Sequence, residues 1–134
     1  MPPVESRPIA GVRGHRIGID GSVWTCLLRV SLGIGNGCRF IETWGWRKRR
    51  VSPDKKGYLR VTLPLVGGGT RRAKVHHLVL TAFEGEKPPG MECRHMDNDK
   101  KNNHRENLRW GTDEENREDR RRATAKARQI TPEQ

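Results

Sequence analysis

The chain has 134 residues, about one domain's worth, and only 32% are hydrophobic and 5% aromatic, with a mean hydropathy of −0.90. That composition excludes a deep globular interior and predicts a small, partly open structure with irregular loops. Lys and Arg number 27 against 16 Asp and Glu, a net charge of +11, which favours a polyanion such as nucleic acid as partner over a merely soluble basic surface.

Residues 1–13 hold three prolines and little to bury, and are expected to form a loose arm. Ile17, Ile19, Val23 and Trp24 around Asp20-Gly21 predict a hairpin, because Asp-Gly suits the positive-φ corner of a tight turn. The stretch 31–45, with glycines at 33, 35, 37 and 45, is expected to be loop-rich. A basic run, Arg47 to Arg50, precedes Lys55-Lys56-Gly57-Tyr58. Leu59, Val61, Leu63 and Leu65 then alternate with Arg60, Thr62 and Pro64, the period of a half-buried strand. Pro64 lacks an N–H, so this strand is expected at an edge or with a bulge. Gly67-Gly68-Gly69 turns the chain into Thr70 to Val75, and Arg60, Thr62 and either Arg71 or Arg72 would share one solvent face. Such a basic ribbon is a shape that lies in a DNA groove, although an ordinary solvated sheet face has the same pattern.

Residues 76–84 place Leu78, Val79, Ala82 and Phe83 on one helical face, with Gly85 as the stop. Met91 to Met96 predicts a short strand, 97–105 a loop of Asp and Asn turn formers, and Leu108 to Trp110 a second strand. Thr112 and Glu115 form a capping box that starts a helix running from Asp113 to about Ala127. Its far part, Arg117, Arg120, Arg121, Arg122, Lys126 and Arg128, is strongly cationic, which suits a helix C-terminus and a phosphate backbone alike. Residues 130–134 look like the start of a further helix. These signals divide the chain into an arm (1–13), a basic β-rich region (14–72), a second unit with a basic helix (73–128) and a tail (129–134).

Three cysteines, Cys26, Cys38 and Cys93, with no CxxC pair argue against a zinc ribbon or a disulfide framework and for reduced thiols. The first residues lack the basic start and apolar run of a secretion signal, and no stretch approaches the ~20 apolar residues a membrane span needs. A cytoplasmic, monomeric protein without structural zinc is expected.

One constellation carries chemistry. His95 is followed by Asn107 after 12 positions (107 − 95) and Asn116 after 21 (116 − 95), a spacing that lets a strand, a loop, a second strand and a helix face them to a common point. Histidine can take a proton from water near neutral pH, and an asparagine carbonyl can hold a hard divalent cation. Asp97 shares a strand face with His95 if the strand continues and is then a possible second ligand, though a turn residue is the plainer reading. His76 is a further possible site residue, though it precedes a helix and could simply bond to the backbone.

Val75-His76-His77-Leu78-Val79, Ala82-Phe83-Glu84-Gly85, Arg94-His95-Met96-Asp97, Asn102-Asn103, Glu106-Asn107-Leu108-Arg109-Trp110-Gly111-Thr112 and Glu115-Asn116 together resemble the HNH endonucleases, in particular the phage- and intron-associated homing group. Gly18 to Trp24 and Gly57 to Val61 are similar to the small DNA-binding module that often precedes that nuclease. The resemblance spans roughly residues 14–122. It implies an α+β chain with a ββα-metal (HNH) nuclease core after a small basic β-hairpin region.

The same resemblance implies residue roles. His95 would be the general base, Asn107 the residue that holds the loop and positions the site, and Asn116 the helix-borne ligand of one divalent cation, Mg²⁺ or Mn²⁺. Double-stranded DNA would be the partner, gripped by Arg47, Lys48, Arg49, Arg50, Lys55, Lys56, Arg60, Arg71, Arg72, Arg117, Arg120 and Arg121. The products would carry 5′-phosphate and 3′-hydroxyl ends, and one chain with one site would nick. The position before the histidine departs from the family, which often has a metal-binding Asp or His there. Arg94 cannot ligate a cation. Either the cation rests on Asn116 with waters and phosphate oxygens while Arg94 binds phosphate, or the protein binds DNA without cutting it. A basic RNA- or ribosome-associated module is the third alternative.

Overall fold

The computed structural model describes residues 1–65 and 68–129. Three antiparallel sheets surround one short helix. The first sheet runs β1 (Ser6–Pro8), β2 (His15–Gly18), β3 (Val23–Ser31) and β4 (Cys38–Lys48) in that order. The second runs β5 (Ser52–Pro53), β6 (Leu59–Pro64) and β7 (Thr70–Lys74). The third is the pair β8 (Met91–His95) and β9 (Leu108–Thr112). Helix α1 (Val75–Phe83) follows β7 directly, and α2 (Asp113–Gln129) follows β9.

Helix α1 organises the interior. Val75, Leu78, Val79 and Leu80 are buried, and they join Ile17 and Val23 of the first sheet, Val61, Leu63 and Ala73 of the second, and Leu108 of β9 in one cluster. Fully burying such a side chain stabilises by roughly 1.5–3 kcal/mol, so each sheet is held mainly through the helix it shares with the others. Gly85, at φ +108, ends the helix with its N–H on the Leu80 carbonyl. The expected division at residue 72 therefore crosses a continuous core.

The predicted hairpin at Asp20-Gly21 is present. Gly21 takes φ +87, and Asp20 Oδ1 accepts from the Ser22 N–H at 3.0 Å. The N-terminal segment, by contrast, is not a loose arm: β1 pairs with β2, and Ile9 and Val12 are buried in the common cluster. Residues 31–45 are not simply loop either. Apart from the glycine turn at 33–37 they belong to the β3–β4 hairpin. Its second strand buries no residue and half-buries only Ile41, Thr43 and Trp46, too few to leave a sustained alternating pattern to read.

β6 is the middle strand of its sheet and not an edge. Pro64 is tolerated because β5 pairs only with Leu59 and Arg60, leaving Pro64 paired on one side, to Thr70. Gly67 and residues 130–134, to which the sequence assigned a turn and the start of another helix, lie outside the described residues.

α2 begins with the predicted capping box: Glu115 N–H donates to Thr112 Oγ1 and Thr112 N–H donates to Glu115 Oε1, both at 3.2 Å. Among the described residues α2 buries no hydrophobic side chain, and its buried residue is Asp119. Polar contacts must therefore dock this helix on β8 and β9. Among the described residues no helix is long and apolar enough to cross a membrane.

Candidate active site

His95 closes β8 and is 9% exposed. Its Nε2 lies 2.9 Å from Asn103 Oδ1, and Nδ1 has no hydrogen-bond partner among the described residues. Asn107 locks the loop between the two strands. Its amide donates to Asp97 Oδ1 and to the Asn102 carbonyl, each at 2.9 Å, and its own oxygen accepts from the Asp97 N–H at 3.0 Å. These three bonds tie Asn107 to Asp97 and Asn102 of that loop. Asp97 is consumed by the same network, since Asn102 donates to its second oxygen at 2.8 Å. The Asn102 bond and the other loop donors hold its carboxyl below the usual range, and Asp97 lies outside the lining of the cleft that contains His95. The possible ligand is a turn residue.

That cleft, with a volume of 990 Å³, is lined by His95, His76, Tyr58 and Asn116 together. The His76 and His95 rings meet edge to face at 5.2 Å, with Tyr58 5.3 Å from the first and 5.9 Å from the second. Asn116 reaches the cleft from the first turn of α2. Strand, loop, strand and helix thus bring His95 and Asn116 to one cavity, while Asn107 stands behind it.

Cations rim the opening: Lys55, Lys56, Arg60, Arg72 and Arg120, all expected from the sequence, and Lys74 and Lys100, which were not. The β6–β7 register explains the choice between the two arginines. Arg72 pairs with Thr62 and Lys74 with Arg60, so these four share a face, whereas Arg71 pairs with Leu63 and belongs to the opposite one. Lys100 and Lys74 place their Nζ atoms 4.9 and 5.9 Å from the Tyr58 ring centre. The 47–50 run is away from the cleft, and Arg49 is a structural cation. Its guanidinium lies 2.8 Å from His15 Nε2 and donates to the Thr62 carbonyl at 2.8 Å, tying the first sheet to the second. Arg47 donates to the Leu27 carbonyl across β3 and β4. Lys48, Arg50, Arg117 and Arg121 are exposed but do not line the cleft.

Arg94 corrects a sequence expectation. Its side chain points to α2 and not to a free phosphate position. Nε and Nη2 donate to the two oxygens of Asp119 at 2.7 and 2.9 Å, and Nη1 donates to Glu115 Oε2 at 2.8 Å. Gly111 makes room for it across the strand pair: a Cβ there would stand 2.0 Å from Arg94 Cδ. Asn116 lies between the two acidic residues that Arg94 grips. The arginine is thus the clamp that fixes the angle at which Asn116 enters the cleft.

A family model described as HNH endonuclease matches residues 73–118. Those residues include α1, β8, the Asn-rich loop, β9 and the first turns of α2, the elements that assemble the cleft. Residues 73–118 are an HNH domain. A solved structure of DNA binding and cleavage by the HNH homing endonuclease I-HmuI superposes on the chain with a TM-score of 0.67 and 28% identity. That match covers 95% of this chain, and the chain spans 66% of the length of the I-HmuI chain. No curated protein sequence matches.

Within the HNH domain His76 is the least comfortable group. Its Nδ1 is buried without a partner among the described residues, and burial, then the nearby His95 and His77, push its imidazole down to about 3 from the ordinary 6.5. Between those values the unfolded chain binds a proton at this residue that the folded chain does not, so acid favours unfolding. Lowering the pH from 7 to 5 should therefore cost about 2 kcal/mol through His76 alone. Urea unfolding at the two pH values is expected to show that loss in the wild type and a correspondingly smaller one in His76→Phe. Equal losses would sink the assignment. Of the remaining histidines, His77 packs edge-on against Trp110 at 5.3 Å, and His104 Nδ1 accepts the Glu106 N–H at the start of a 3₁₀ turn, Arg105–Asn107.

Proposed function

We propose that the chain is a divalent-cation-dependent endonuclease that nicks double-stranded DNA. The observation that carries this is a buried histidine with one ring nitrogen unpaired, sharing a cation-rimmed cleft with Asn116. Facing the scissile phosphate, His95 Nδ1 takes a proton from water, and the resulting hydroxide oxygen bonds to phosphorus. The bond from phosphorus to the 3′-oxygen breaks, and that oxygen collects a proton from solvent. The ends are a 5′-phosphate and a 3′-hydroxyl. The rim of Lys55, Lys56, Arg72, Lys74, Lys100 and Arg120 neutralises the backbone on either side.

The cation that HNH nucleases generally use fits this donor set as a largely hydrated ion. Among the described residues no group of three His, Cys, Asp or Glu side chains could hold a metal, but Asn116 and Asp113 on α2 present hard oxygens to the cleft. Magnesium keeps several waters and needs only one or two protein oxygens, so Asn116 would hold it. Bound there, it would supply Lewis-acid stabilisation of charge developing on phosphate oxygens.

Supercoiled plasmid with Mg²⁺ or Mn²⁺ tests the proposal. The expected product is relaxed circle, abolished by EDTA, and Asn116→Ala should raise the Mg²⁺ concentration needed for half-maximal cutting at least tenfold. The competing binding-only reading is favoured by the loss of a ligand at Arg94. It prevails if the wild type shifts DNA in a gel and cuts under neither ion.

A further inference from the structure

We infer that Asn103 is a positioning residue that holds His95 in the tautomer with its free electron pair on Nδ1. The inference rests on the reading of His95 as general base. A neutral imidazole carries one N–H, and which nitrogen bears it decides whether the ring can accept a proton from water at a given place. An amide oxygen can only accept, so Asn103 Oδ1, 2.9 Å from Nε2, requires the hydrogen on Nε2. Nδ1, without a partner among the described residues, is left as the basic atom of a ring that lines the cleft.

Asn103 is only 3% exposed, unusual for an asparagine in a loop of turn formers, and the reason lies in the N-terminal sheet. The turn between β2 and β3 backs directly onto it. A Cβ on Gly21 would stand 2.7 Å from Asn103 Cβ and 3.1 Å from its carbonyl oxygen. Next to it, the Arg105 N–H donates to the Ile19 carbonyl at 2.8 Å. The hairpin thus presses Asn103 toward the ring, and its Nδ2, buried without a partner among the described residues, contributes no bond that would explain its burial as simple loop packing.

Asn103→Leu keeps the shape of the side chain and removes the acceptor, while Asn103→Asp keeps an acceptor. Nitrogen-15 spectra of His95 in the metal-free proteins near pH 8 read the tautomer without any cleavage. The wild type and Asn103→Asp should show a proton on Nε2 and none on Nδ1, and Asn103→Leu should show the proton shared between the two. In plasmid nicking, Asn103→Leu should lose about 100-fold in kcat with KM for DNA within twofold, and Asn103→Asp should retain at least a tenth of the wild-type rate. A wild-type spectrum with the proton on Nδ1, or a folded Asn103→Leu with unchanged spectrum and kcat, overturns the assignment. Should the wild type cut no DNA, the proposed function falls, yet the spectrum still decides the tautomer. Should Asn103→Leu fail to fold, the wild-type spectrum and the Asp variant carry the decision.

Discussion

Replacing His95 with alanine should lower Mg²⁺-dependent nicking by about 10³-fold, within the range that removal of a general base removes. DNA affinity should stay within twofold of the wild type. The two readouts part because they belong to different groups. His95 is a buried, single acceptor at the floor of the cleft, whereas attraction to the duplex comes from the lysines and arginines at its rim. Single-turnover nicking beside a gel shift at fixed salt measures both. Cleavage by the alanine variant at the wild-type rate would remove His95 from the chemistry. A parallel loss of affinity would mean that the variant had disturbed the fold and not the reaction.

Arg94→Ala should strongly destabilise the ββα unit, costing about 3 kcal/mol of stability. The Arg94 and Asp119 side chains are 13% and 10% exposed, and their two-bond pairing, together with Glu115, is the main attachment of a helix with no buried apolar face among its described residues. Removing the arginine leaves the Glu115 carboxylate without its ion-pair partner and Asp119 with only the exposed Arg122, at 3.2 Å, on the helix that carries Asn116. Urea midpoints should fall, and cleavage should fall with them because the helix no longer presents Asn116 at a set angle. Arg94→Asp sharpens the test. It should be less stable than Arg94→Ala in EDTA, since three carboxylates then crowd together, and should recover stability as Mg²⁺ is added. A variant whose stability ignores Mg²⁺ would exclude a cation at this corner of the cleft.

Much of this molecule could be read one residue neighbourhood at a time. The Asp20-Gly21 turn, the alternating strand through Val61 and Leu63, the apolar stripe of α1 with its Gly85 stop and the Thr112–Glu115 capping box all depend on groups within a few positions of one another, where backbone preference acts directly. The spacing of His95, Asn107 and Asn116 was legible for the same reason: a strand, a loop, a strand and a helix turn convert it into a direction. Chain-local signals also made the rim visible as charge, though not its orientation.

Contacts between distant parts of the chain decided the rest. Arg94 carries the same guanidinium whether it meets a phosphate or a carboxylate, and only the docking of α2, 21 to 25 positions away, supplies Glu115 and Asp119. Arg71 and Arg72 look alike until pairing with β6 assigns them to opposite faces, and Arg49 is indistinguishable from its basic neighbours until His15 folds against it. Asn102 and Asn103 are adjacent and chemically identical, yet one bonds within its loop and the other is driven onto His95 by a turn 82 positions earlier (103 − 21). Ile9 and Val12 gain a buried place only because β1 finds β2 and α1 lies beneath them. The sequence by itself determined which local elements form and which side chains can do the chemistry. The tertiary structure decided which of those side chains are free to do it, because a charge or an amide acquires its role from the partner that folding places within about 3 Å of it.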